Sequence, residues 1–368
     1  MYRVLSYKEQ WEWDKEIEQL LKKDIYFFQT YCSLYRTIGD GEPYLFVYNN
    51  QFGDVVVYTF IKRLINLPFV DLENSNEKFY DIITPYGFGG PLYDDANDEV
   101  LQGFREAFDE YCNKENIISE FIRFNPLLMN HQYLNKFLDI INDRETVYMD
   151  LTIDKEELIN NYHINHKRNL NKAIKNNLEF KILEKENAIE YISEFFTLYK
   201  ETMDKLKASS YYYFSEEYIR DLLNGLWENS MIGAVFYEGK MISAALCMYE
   251  GGCLHYHLGC SKKEFLHLGT NIYQFHNIAL WGKQIGCHTF HLGGGHIGRD
   301  SLFQFKHRFN PRGLLNFYIG RKVHYPLKYE FLVEKWEEYY GQKTQNNFFP
   351  AYRSKPKTAD IVQAAING

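Results

Sequence analysis

"HLGGGHIGRDSLFQFKHRF", residues 291–309, is the stretch on which the reading of this chain turns. It carries Gly293-x-Gly295-x-x-Gly298 between an apparent strand and an apparent helix, the form of a dinucleotide-binding turn. That reading needs a βαβ unit and an acidic residue about twenty positions further on. Neither is present: no Asp or Glu occurs from Ser301 to Tyr329, and Asn310-Pro311-Arg312-Gly313 stops the helix early. What remains is a strand end, a glycine turn and a short helix. Ser301-x-x-Gln304 reads as a capping box, with Asp300 beside the helix start. Leu302, Phe305 and Phe309 fall on one face, which predicts them in the core. Lys306 lies roughly 100° round from Phe305, at the edge of that face. It is either a snorkelling lysine with a solvated tip or a lysine aimed into a cleft, and spacing alone favours the first.

Outward from this stretch, hydrophobic periodicity lays out the same order of elements twice. Strands fit 44–50 and 54–65, a hairpin closed by Gln51-Phe52-Gly53, then 79–83 and the loop "TPYGFGGPLYDD". Val100, Phe104, Ala107, Phe108 and Tyr111 give helical spacing over 97–115, and a strand fits 119–124. The second half repeats this with strands at 231–237, 241–249 and 253–259, joined by Glu238-Gly239-Lys240 and Glu250-Gly251-Gly252. A helix at 269–285 and a strand at 288–292 follow. Helical stretches near 154–178, 187–207 and 215–228 lie between the halves, and a last one spans 326–340. The pattern predicts a mixed α/β (α+β) fold with two related domains, 1–150 and 151–340, and a polar tail over 341–368 with a loosely ordered end.

Composition sets outer bounds. The 368 residues are 45% hydrophobic and 24% charged, the balance of a soluble globular protein, long enough for two domains. A net charge of −8 argues against a broad nucleic-acid-binding surface and hence against a DNA partner. The six cysteines are scattered without a C-x-x-C pair and read as reduced, buried thiols of a cytoplasmic protein. No stretch approaches the length of an apolar membrane span, and the first residues lack a signal-peptide core.

Four segments, "TPYGFGGPL" (84–92), "HINHKRNLNKAIKNNL" (163–178), "YHLGCSKKEFLHLGTNIYQFHNIALWGKQIG" (256–286) and "FHLGGGHIGRDSLFQFKHRF" (290–309), resemble the FemAB family of the GNAT acyltransferase superfamily. The resemblance implies a tandem GNAT-like fold with a cleft between its two domains. It also implies transfer of an acyl or aminoacyl group to an amine, often on a cell-wall or surface-glycan precursor. The family's Phe-Lys pair falls on Phe305-Lys306, where the lysine stabilises the transition state. Tyr86, Tyr256 and Phe305 in these segments are candidate substrate contacts. Arg36 in "FFQTYCSLYR", which looks like the family's early Gln-plus-basic segment, is a candidate for an acceptor phosphate.

Acyl transfer to an amine needs an uncharged amine, an electrophilic carbonyl and stabilisation of the tetrahedral oxyanion. No G-x-S-x-G elbow is present, so direct attack by the acceptor amine fits better than a covalent acyl-enzyme. Lys306 and the backbone N–H groups of Gly293, Gly294 and Gly295 are candidate oxyanion donors. An acetyl-CoA-dependent GNAT domain carries Q/R-x-x-G-x-G/A where the pyrophosphate sits at a helix start. Here Gly269 is retained while Leu266 and Asn271 depart, so Gly269, Thr270 and Asn271 mark the donor position without fixing the donor. Acetyl-CoA and aminoacyl-tRNA are both open as co-substrates, with no tightly bound cofactor.

Arg168, Lys172 and Lys175 line one helical face, either solvated or an anion site for a nucleotide diphosphate or tRNA acceptor stem. His255 and His257 share a strand face, with His288, His291 and His296 near in the repeat, but no spacing supports a metal. His257 or His291 is a candidate proton acceptor. Tyr211-Tyr212-Tyr213-Phe214 reads as packing rather than a stacking platform. The first functional expectation is an acyl-CoA-dependent N-acetyltransferase of an amino sugar, with a nucleotide-linked sugar as acceptor. The alternatives are an aminoacyl-tRNA-dependent ligase acting on a peptidoglycan precursor, and a non-catalytic GNAT-like binding module.

Overall fold

The computed structural model describes residues 1–70, 77–95, 97–345 and 348–356. From the first part of the chain come β1 (Tyr2–Ser6), β2 (Glu42–Asn49), β3 (Val55–Leu64), β4 (Tyr80–Ile83), β5 (Gly90–Leu92), β6 (Ile117–Arg123) and β7 (Asp139–Asp150). The second part supplies β8 (Glu179–Leu183), β9 (Ser230–Tyr237), β10 (Lys240–Glu250), β11 (Cys253–Ser261), β12 (Thr289–Gly293) and β13 (Leu314–Val323). Among the described residues all of them join one sheet in the order β1-β2-β3-β4-β6-β13-β7-β12-β11-β10-β9-β8, with β5 beside β3.

The repeated order read from the sequence is present as two α/β units. In the first, β2, β3 and β4 run antiparallel and the helix Asp98–Lys114 crosses over to β6, which lies parallel to β4. In the second, β9, β10 and β11 are antiparallel and the helix Thr270–Gln284 leads to β12, parallel to β11. The units are joined by exchanged strands. β7 follows the first unit but pairs with β12 of the second, whereas β13 follows the second and pairs with β6 of the first. β7 and β13 then pair with each other, so the sheet runs unbroken through the middle.

Local chemistry explains the elements. At the β2–β3 turn the Asn50 side-chain oxygen accepts from Phe52 N and Asp54 N, at 2.9 and 2.8 Å. At the β9–β10 turn Glu238 and Gly239 have φ of 49° and 75°, the left-handed pair of a type I′ hairpin. Asn97 caps the helix Asp98–Lys114 by accepting from Val100 N at 2.9 Å, and Asp98 and Glu99 complement the dipole of its first turn. That helix buries Val100, Phe104, Phe108 and Tyr111 against the first unit's strands. It also buries Arg105, which forms a bidentate pair with Glu120 on β6 at 3.0 and 2.8 Å. β9 is buried almost end to end because helices cover both faces of the second unit's sheet. One core cluster spans the units, bringing Tyr31 and Tyr35 together with Phe195, Tyr218 and Leu258.

Several elements differ from the sequence reading. β1, β13 and the helices Gln10–Glu18 and Gln29–Thr37 had no expectation attached. The described part of the tail is anchored: Tyr352 is buried and Trp336 Nε1 donates to Ser354 O at 2.9 Å. Residues 357–368, where loose order was expected, lie outside the described residues. Among the described residues no helix is long and apolar enough to cross a membrane.

Candidate active site

Where β11, β12 and β7 adjoin, a cleft of about 720 Å³ opens between the units. Its lining includes Tyr86, Tyr256, His257, His291, Lys306 and the Gly293–Gly295 turn. The sequence-predicted residues that meet here come from a loop of the first unit and from three segments of the second: β11, the end of β12 with its glycine turn, and the helix that follows.

Lys306 is held by the short helix Ser301–His307. The helix start differs from the expected capping box. Asp300 is the N-cap, accepting from Phe303 N at 2.9 Å, and it also accepts from His296 N and Ile297 N at 2.8 and 3.0 Å. One carboxylate therefore caps the helix and ties down the glycine turn. The buried face is likewise different: Phe303, Lys306 and Phe309 point inward, while Leu302 is 45% exposed and Phe305 is half-buried. Lys306 thus sits at the middle of the buried face, 5% exposed, so the solvated-tip reading is set aside.

The Lys306 ammonium has no carboxylate partner among the described residues. Nζ donates to Gly294 O at 2.8 Å and lies 5.4 Å from the centre of the Tyr256 ring. Burial lowers its pKa to about 8, only partly opposed by the charge of Asp300. Gly293, with φ of 73°, carries the chain through the turn in a left-handed conformation that suits glycine, and a side chain there would face Nζ. An ammonium spends one of its three donors on Gly294 O; the others are free to meet a developing oxyanion.

Two histidines line the cleft together with the lysine. His291 is buried on β12, its Nε2 2.9 Å from Thr146 Oγ1, and burial, then the charges of His255 and Lys306, hold its pKa well below the ordinary value. His257 Nε2 lies 3.0 Å from Tyr218 OH, and burial lowers its pKa to about 3, so the ring is neutral. Behind it Tyr218, Tyr35 and Tyr31 form a hydroxyl chain with steps of 3.4 and 2.9 Å, ending on Tyr86 O at 2.7 Å. A neutral imidazole backed by hydroxyls can take a proton from an attacking amine.

The remaining predicted residues lie elsewhere. Arg36 pairs with Glu42 at 3.0 Å and stacks on Tyr7, outside the cleft lining. Arg168 and Lys172 are exposed on the helix Ile164–Lys175 and do not line the cleft. Phe305 packs behind the lysine, 5.6 Å from the Phe275 ring. Gly269 has φ of 83°, and a Cβ there would collide with Asn169 O of the helix lying across it. Thr270 is buried, donating its hydroxyl to Phe265 O at 2.7 Å, and Asn271 lies 3.4 Å from Ser243 Oγ.

Other lining residues escaped the sequence reading, among them Tyr26, Arg63, Arg123 and Arg144. Charged residues inside otherwise apolar strands, as in "FIRF" over 121–124, were the available signal. Tyr211 and Tyr212 were expected to pack; both line the cleft, with Tyr211 42% exposed.

Comparison with known proteins defines the class. Residues 161–307 match the model of an acetyltransferase (GNAT) domain. The structure is similar to that of FemX, at 14% identity and a TM-score of 0.67, over 90% of this chain and 99% of that one. It is also similar to the C-terminal domain of a putative lysylphosphatidylglycerol synthetase from Agrobacterium fabrum, at 13% identity and a TM-score of 0.51, over 86% of this chain and 92% of that one. L-PGS from Bacillus licheniformis matches at 15% identity and a TM-score of 0.50, over 78% of this chain and 86% of that one. No curated protein matches the chain in sequence. The chain is an acyltransferase, with a GNAT domain matched over residues 161–307. Its full two-unit fold is the one FemX has.

Proposed function

We propose that the protein transfers an acyl or aminoacyl group to an amine of a cell-envelope or surface-glycan precursor by direct amine attack. The observation that carries this reading is Lys306: a buried ammonium without a carboxylate partner among the described residues, beside two neutral histidines in a cleft. The acceptor amine attacks the donor carbonyl, its electrons move onto the oxygen, and Lys306 meets that oxyanion. Collapse expels the ribose hydroxyl or thiol of the donor, and His257 takes a proton from the new ammonium for return to the leaving group. A covalent acyl-enzyme fits poorly. All six cysteines are buried, with burial pushing their thiols up and away from the reactive thiolate.

Acetyl-CoA remains the first donor to test. A second reading, an aminoacyl ester donor, is favoured by the covered helix start at Gly269–Thr270, where a CoA pyrophosphate would need open N–H groups. The shared fold with a lysylphosphatidylglycerol synthetase, whose name describes aminoacylation of a lipid, supports the same direction. The test is transfer of label from acetyl-CoA or from aminoacyl-tRNA to extracted envelope precursors by the purified protein. Transfer from either donor to an amine supports the proposal; no transfer from both speaks for a binding module.

A further inference from the structure

Beside the cleft lies a second cavity of about 280 Å³ that shares Arg63, Arg123 and Arg144 with it and adds Arg321 and Arg353. These arginines are far apart in sequence: the exchanged strands β7 and β13 bring Arg144 and Arg321 beside Arg123 of β6, while Arg63 comes from β3 and Arg353 from the C-terminal segment. β6, β13 and β7 are neighbours at the middle of the sheet, with Ile319 opposite Arg123, Arg321 opposite Phe121 and Phe317 opposite Arg144. Because side chains two apart share a face, the arginines of these strands fall on one face.

Their charges are unevenly matched. Arg63 and Arg353 share the single carboxylate of fully buried Asp81. Arg144 pairs with Asp143 and donates to His296 O at 3.2 Å, which links the strip to the glycine turn beside Lys306. Arg123 has no carboxylate partner among the described residues; it donates to Thr84 O at 3.2 Å and stacks 5.0 Å from the Phe121 ring. Among the described residues the one carboxylate Arg321 reaches is Asp139, at 3.6 Å and itself 69% exposed, and its Nε is buried without a hydrogen-bond partner there. Asp143 is the one carboxylate lining this cavity among the described residues. Enclosed guanidinium groups with unused donors are costly unless an anion meets them, and their planar forks match phosphate oxygens.

We propose that this arginine pocket binds a phosphate-type anion carried by the acceptor substrate, so that the acceptor lies with its acidic end against Arg123 and Arg321 and its amine towards Lys306. The orientation rests on the transfer reading above; the anion site itself does not. Inorganic pyrophosphate is the probe, titrated calorimetrically and by its effect on the melting temperature of the wild-type protein. It should bind, raise the melting temperature and weaken with added salt. Arg123→Gln and Arg321→Gln should each weaken binding by about tenfold, the loss of one charge-assisted hydrogen bond. Arg321→Lys, which keeps the charge but loses the fork, should fall between. Absence of a wild-type melting shift, binding unchanged in both glutamine variants, acetate binding as tightly, or a loss seen instead with Arg168→Gln/Lys172→Gln would each overturn the site. None of these readouts uses catalysis, so a protein that fails to transfer acyl groups can still bind pyrophosphate here.

Discussion

Nε2 of His255 lies 2.9 Å from both carboxylate oxygens of Asp24, a fully buried pairing across 231 positions of sequence. The same carboxylate accepts from Ile25 N and from Asn125 Nδ2, both at 2.7 Å. One side chain therefore ties the N-terminal segment and a first-unit loop to β11 of the second unit. His255 stands beside His291, at 5.5 Å between ring centres, because the two are paired in the parallel β11–β12 register.

Asp24→Ala removes an acceptor from several buried donors at once. It should cost about 3–5 kcal/mol, the range for breaking a buried pair from one side. Chemical denaturation checks this, and a loss below about 1 kcal/mol would mean that the clamp contributes little.

The buried pair of Arg105 and Glu120 makes a parallel case within the first unit. Glu120 is held well below the ordinary carboxylate range by Arg105 and His324, against burial. Glu120→Gln should destabilise by about 3–5 kcal/mol, because Arg105 stays buried with its charge poorly met. The wild-type advantage is present above the ordinary carboxylate pKa and fades as pH falls through the depressed folded value. An advantage over the variant that grows in acid would contradict this.

Lys306→Met should leave the fold as stable as wild type or more so, since it removes a buried ammonium and gives up one hydrogen bond to Gly294. Burial lowers the folded pKa from 10.5 to about 8, so within that window the unfolded chain binds more protons. Wild-type stability then rises with pH there, and the variant's advantage shrinks by up to roughly 3 kcal/mol. Denaturation of both proteins across that pH range measures it; an advantage that grows with pH would contradict the assignment.

Turnover should carry the same signature with the opposite consequence. As pH rises through about 8 the ammonium is lost, and kcat should fall on a limb belonging to Lys306. A pH profile of kcat that keeps rising well beyond that point would separate the lysine from the chemistry.

The repeat was legible because apolar strands and glycine turns mark it locally, as Gly239 and Gly251-Gly252 do. β13 was not, because "LLNFYIGRKV" is only partly buried and its place depends on β6 and β7, both remote in sequence. Lys306 itself was visible as a candidate, but its depth was misjudged. Local spacing put Leu302 inward, whereas the Asp300 cap and the packing of Phe303 turn the helix so that the lysine faces the core. The arginine pocket left only isolated charges inside apolar strands, such as Arg123 in "FIRF", as a local signal; their convergence depends on strands remote in sequence standing side by side.

The proposed stabilisation of the acyl-transfer oxyanion by Lys306 is read out by kcat of purified Lys306→Met, with its melting temperature recorded alongside. An interaction made mainly in the transition state appears in kcat rather than KM. Loss of one such donor costs on the order of 100- to 1000-fold in rate, and that fall is expected at an unchanged or raised melting temperature. Turnover near the wild-type rate, or a fall matched by unfolding, would contradict it.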